Sequence, residues 1–181
     1  MTEISERYAR HADAFAATIA AVPADRWSAP SPCEGWTAAD VVSHVVDVHV
    51  MFLGLVGRTP EPGPEGRAEA FAHVRKIVQA DLEDPSRAGA TYEGMFGTQS
   101  FERSVDGFVT LDLVVHRWDL GRAAGLDVTI PEDEFPSIAR VLEMMPDEVR
   151  ASGTVFGPAL TPPSDADAHT RLLAEIGRKG W

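Results

Sequence analysis

"DLVVHRWD" (Asp112–Asp119) decides the reading of this chain, because a close echo, "DVVSHVVD" (Asp40–Asp47), stands 72 positions earlier. Both read acid, two branched aliphatics, any residue, histidine, two residues, acid. On a helix, positions four apart differ by about 40° and positions seven apart by about 20°. Each stretch therefore lines up its two acids and its histidine as one polar stripe in an apolar run. Polar atoms among apolar side chains are costly unless something pairs them. Either these are two amphipathic helices with solvated edges, or two helices aim polar atoms at one shared object.

The two first acids differ in context. Thr37-Ala38-Ala39-Asp40 has the Thr-x-x-acid form of a helix start, and capping is enough to explain Asp40. Asp112 falls some three turns inside its helix, where no free N–H groups remain to cap. It sits among Leu111, Leu113, Val114 and Val115. A carboxylate four residues before a histidine on a buried face is a metal-ligand spacing, and a hydrogen-bonded Asp–His pair in the core has the same spacing. A second histidine from another apolar helix face, His44, favours the metal. His49 lies five residues, about 140°, from His44 and points elsewhere. His11, His73 and His169 have polar neighbours and read as surface residues. Cys33 follows Pro32 in a loop and reads most simply as a small buried hydrophobe, with a reactive thiol as the alternative.

Outward from these stretches the periodicity is helical throughout. Ile4, Tyr8, Ala12, Phe15 and Ile19 mark a first helix from Glu3 to about Ala21, stopped by Val22-Pro23. "PADRWSAPSPCEGWT" is an irregular connection. The second helix runs from the Thr37 cap to about Val56 and the third from about Glu65 to Leu82. A loop with a short extended piece follows, then a fourth helix capped by Ser100 and stopped by Gly125. Gly107 inside it costs about 1 kcal/mol relative to Ala. A fifth helix follows Pro131 to near Arg150, and a short terminal one spans Asp165 to Ile176 before Gly177. The fold class is all-α: a four-helix bundle with additional short C-terminal helical segments, residues 1–181 forming one domain.

Of 181 residues, 16 are Lys or Arg and 28 Asp or Glu, giving a formal charge of −12. No basic cluster exists to follow a nucleic acid or an anionic membrane. One cysteine excludes an intramolecular disulfide. The charged start lacks a signal peptide's apolar core, and no apolar run reads as a bilayer span, so a cytoplasmic protein is expected.

"WSAPSPCEGWTAADVVSHVV", "DLVVHRWDLGRAAG" and the tail "RLLAEIGRKG" resemble the DinB-like metal-binding proteins, and within them the branch of mycothiol-dependent maleylpyruvate isomerase. The resemblance runs from the first helix to the tail. It implies a DinB-like four-helix bundle in which a histidine of the second helix and two residues of a later one hold a divalent metal. On this chain those positions are His44, Asp112 and His116, with zinc the expected ion. Asp112 stands where the isomerase has glutamate. Asp119 and Asp47 are then partners of the ligands or solvated edges. Three protein ligands leave an open position of the catalytic kind. There the resemblance implies mycothiol, the small thiol some bacteria use in place of glutathione, reacting with a small electrophilic substrate in a transferase or isomerase.

The same ligands serve a metal-dependent hydrolase or a non-catalytic metal- or small-molecule-binding protein, and a homodimer is an admissible assembly. Arg103, Arg117 and Arg122 are candidate anchors for a cofactor carboxylate, or surface charges. The isomerase carries a further C-terminal portion, so maleylpyruvate is not assigned as the substrate.

Overall fold

The computed structural model describes residues 2–94, 97–145 and 155–181. Helix α1 (Glu3–Ala21) starts where the Thr2 side chain accepts from Ser5 N–H. Helix α2 (Ala38–Leu55) starts in a complete capping box. Thr37 and Asp40 exchange side-chain-to-backbone hydrogen bonds, so Asp40 caps its helix. Helix α3 (Arg67–Glu83) is followed by the short α4 (Pro85–Ala88). The extended piece is a hairpin, β1 (Thr91–Gly94) against β2 (Gly97–Ser100), with Tyr92 opposite Gln99. Ser100 caps α5 (Phe101–Ser104), which continues into α6 (Thr110–Ala124).

Between α5 and α6 lies a feature the periodicity did not foretell: Val105–Val109 forms a π turn, closed by Thr110 N–H donating to Val105 C=O. Such a turn holds one residue more than an α turn and shifts the faces downstream by about 100°. It contains Gly107, where an added Cβ would meet nothing within 4 Å. The glycine is therefore no packing requirement.

Helices α1, α2, α3 and α6 make the bundle. α1 packs on α3 and α6, and α2 packs on the same two, so α1 and α2 occupy opposite corners. Among the described residues, α2 is the one helix long and apolar enough to cross a membrane, which corrects the reading that no run qualifies. Its Val41, Val42, Val45 and Leu53 are instead buried in the bundle core.

A second core lies on the other side of α6. There Leu111, Val114, Val115 and Trp118 meet α7 (Phe135–Met144), Phe156 and α8 (Ala168–Glu175). Val109, Leu113 and Leu120 face the first core. Helix α6 is thus apolar on two sides, as a helix between two cores must be. Its polar stripe Asp112–His116–Asp119 runs along the seam between them. The fifth helix expected to reach Arg150 is described only to Met144; residues 146–154 lie outside the described set.

Helix α8 ends as expected at Gly177, whose φ of +73° favours glycine. Arg178 N–H donates to Leu173 C=O (2.7 Å) and Gly177 N–H to Ala174 C=O (3.1 Å), the paired bonds of a Schellman cap. A Cβ on Gly177 would lie 2.6 Å from the backbone of Gly157. This close approach turns the tail inward and delivers Arg178 to the seam.

Candidate metal centre

The structure brings His44, Asp112 and His116 together. One donor atom from each lies within 4.8 Å of the others. His44 Nε2 and His116 Nε2 both stand 3.3 Å from Asp112 Oδ1. The second oxygen, Asp112 Oδ2, is buried with no hydrogen-bond partner among the described residues. On its far side, His116 Nδ1–H donates to Asp119 Oδ2 at 2.9 Å. In the neutral ring that bond leaves the Nε2 lone pair facing His44 and Asp112, so that two imidazole nitrogens and a carboxylate can serve as ligand atoms for one cation. A cation is what such a donor set accepts. Two histidines and a carboxylate on helices, with the opposite ring nitrogen tied to a carboxylate, suit a divalent ion of the zinc type.

Charge follows the same geometry. Burial opposes ionisation of Asp112, but the two histidines outweigh it and hold its carboxyl well below the usual range. Burial likewise opposes protonation of His116, yet Asp112 and Asp119 raise it well above an ordinary histidine. Positive charge is favoured at this spot.

Behind His116 the network extends further. Asp119 is fully buried, and Arg178 grips it through Nε (3.2 Å) and Nη2 (3.0 Å). Cys33 does not sit as a lone hydrophobe. Its thiol donates to Asp119 Oδ2 at 3.2 Å and accepts from Arg178 Nη2 at 3.1 Å. The loop places it there by a tight turn, in which Trp36 N–H bonds Cys33 C=O and Gly35 takes a φ of +78°. Trp36 packs on both histidines, its ring centroid 4.7 Å from that of His44 and 5.7 Å from that of His116.

Other residues fall outside the cluster. Asp47 is exposed and Asp40 spends its carboxylate on Thr37. His49 turns into the core, bonded to Tyr8 Oη (3.0 Å) and Val45 C=O (2.7 Å). His11 is not a surface residue. It is buried against Glu134 at 2.7 Å, where Arg7 also binds, because a charged partner from the far end of the chain covers it. His169 is half-buried and accepts from Ile130 N–H.

Arg117 donates to Thr18 and Arg122 lies over Trp118, while Arg103 is exposed; none of the three lines the cavity at the cluster. Among the described residues, the cation that does is Arg178. Sequence reasoning had no signal for it beyond the tail motif "RLLAEIGRKG". Trp36 and Cys33 likewise lay inside a quoted motif with no role attached.

A family model, that of the mycothiol maleylpyruvate isomerase N-terminal domain, matches residues 8–108, more than half of the chain. The chain belongs to that family, and its helical bundle agrees with the DinB-like fold expected of it. The match covers His44 and ends before Asp112 and His116. Two uncharacterized proteins of Mycobacterium tuberculosis, from two strains, are each 28% identical over 176 residues, covering 93% of this chain and 94% of theirs. No solved structure matches.

Proposed function

We propose that His44, Asp112 and His116 hold one divalent ion, zinc in the first place. We further propose that the protein uses mycothiol to modify a small electrophile, as a transferase or isomerase. The observation that carries this reading is the convergence of three potential ligand atoms with an orphaned Asp112 Oδ2 beside them. Family membership supports the choice of thiol. A divalent cation bound there supplies Lewis-acid stabilisation of thiolate over thiol at neutral pH.

The protein's residues do the rest. Asp119 keeps the proton of His116 on Nδ1, so that Nε2 stays a donor atom toward the site. Arg178 fixes Asp119 in turn. Trp36 limits rotation of both imidazoles by packing on them. The cavity in front has an apolar wall that sheds water from the reacting sulfur.

The test is conjugation of monochlorobimane by the zinc-loaded protein with mycothiol, glutathione, cysteine or no thiol. Mycothiol-selective conjugation that disappears in His44→Ala is the expected result. Absence of saturable mycothiol binding by calorimetry overturns the thiol reading.

A further inference from the structure

The cavity in front of the donor cluster has a floor and a wall of opposite chemistry. The cluster and Arg178 form the floor. Val48, Met51, Phe52, Val115, Val141 and Phe156 build the wall from α2, α6, α7 and the segment before α8. Its volume is about 260 Å³. A cavity of ~150 Å³ holds a benzene, so this one takes a body of about ten non-hydrogen atoms.

The cation on the floor is turned inward, with four of its five N–H groups bonded to protein atoms. Arg178 Nε and Nη2 bind Asp119, Nη1 donates to Ile176 C=O at 2.9 Å, and Nη2 also reaches Cys33. Only 6% of its side chain is exposed. Drawing it onto a substrate carboxylate would strand the buried Asp119 charge, a costly exchange. Among the described residues no other Lys or Arg lines the cavity. A divalent ion held at the cluster would be balanced by Asp112 and the thiolate sulfur, which leaves the floor no net positive charge, and the chain as a whole carries −12. A pocket for a carboxylate or dicarboxylate needs a cation with donors to spare; the described lining of this one offers apolar contact instead.

We infer that the electrophile taken by this site is an uncharged aryl or alkyl compound of about ten non-hydrogen atoms, not a carboxylic acid. The inference rests on the thiol-using reading above and specifies its substrate class. For an alkyl halide the step balances without a redox partner. The thiol's sulfur forms a C–S bond, the carbon–halogen bond breaks with its electron pair leaving on halide, and the thiol proton passes to solvent.

A matched pair tests it. 4-Methylbenzyl chloride and 4-(chloromethyl)benzoate differ in a methyl against a carboxylate far from the reacting carbon. With the zinc-loaded full chain and mycothiol, kcat/KM above background should favour the neutral compound at least tenfold. Met51 stands at the cavity with its side chain half exposed. Met51→Lys, whose ammonium can reach water along its stem, should shrink that preference at least threefold by raising turnover of the carboxylate.

Equal or reversed preference in the wild type overturns the inference while leaving thiol use standing, and so does an unchanged ratio in Met51→Lys. Should mycothiol be alkylated with neither compound, the thiol reading fails, and thermal shift then judges the pocket alone. Stabilisation by toluene but not by benzoate upholds an apolar site, whereas stabilisation by benzoate or by neither overturns it.

Discussion

The stretches around His44 and His116 share a spacing and almost share a wording, yet the protein uses them differently. In the first, Asp40 caps the helix it begins and Asp47 faces solvent, so His44 alone points into the site. In the second, all three polar residues are engaged. Asp112 and His116 converge with His44, and Asp119 holds His116 from behind. What separates them is depth. The first stretch opens a helix, while the second lies between two apolar cores, where every polar atom needs a partner. Spacing says which side chains share a face, and surroundings say what that face is for.

The sharpest way to break this comparison is metal content. Zinc-supplied wild type, purified without a His tag, should carry about one equivalent by elemental analysis. His44→Ala, Asp112→Ala and His116→Ala should each lose nearly all of it, and Asp112→Glu should keep it. Equal, substoichiometric metal in wild type and His116→Ala would reduce the pair to a core hydrogen bond.

Next in size is the contrast between the two closing acids. Asp119→Asn leaves a neutral partner beside His116 Nδ1 and gives Arg178 no charge to grip. Partners of this kind typically contribute 10–100-fold in metal affinity, and competition with a chelator should find about that loss. Asp47→Asn, at the matching position of the first stretch, should leave affinity unchanged. Equal effects would mean that the echo is functional in both places.

Much of this was legible because it is periodic. The four bundle helices, the Thr37 and Ser100 caps and the Gly125 and Gly177 stops follow from local rules, and the structure has them. The convergence of His44 with Asp112 was suggested by the apolar face that carries His44 and by the resemblance, since no spacing rule says which helices face each other. The rest depends on contacts across long separations. His11 looked exposed because its partner Glu134 is 123 residues away. Cys33 looked inert because Arg178 is 145 residues away. The π turn at Val105–Val109 has no sequence signature, although it helps set which face of α6 carries the stripe.

His49 sharpens the comparison within α2, five residues from His44 but sealed in the core. Burial pushes its pKa down to about 4, against partial support from Val45 C=O. The unfolded chain takes up this proton near pH 6.5, as an ordinary histidine does, while the folded one resists until about 4. The contribution is therefore full above pH 6.5 and lost as pH falls from there toward 4. Denaturant midpoints should show roughly 2 kcal/mol of loss between pH 6.5 and 5 from this group. His49→Gln, less stable at neutral pH, should lose less over that interval; an unchanged slope would assign the loss elsewhere.

The smallest effect belongs to the acid with which the echo begins. Asp40 is exposed, and its carboxylate accepts from Thr37 N–H (2.8 Å) and Thr37 Oγ1–H (2.6 Å). Those bonds lower its pKa, the larger share coming from the Thr37 hydroxyl. Thr37→Ala removes the other half of the same box and should cost about 1 kcal/mol, the usual weight of an N-cap. Asp40→Ala should cost less, because water reaches the N–H it uncovers. Neither should change zinc content, since His44 lies about two turns beyond the Thr37 cap. A melting-temperature drop with intact metal keeps capping as Asp40's whole role. Lost metal in Asp40→Ala alone would mean that the first stretch, like the second, feeds its leading acid into the site.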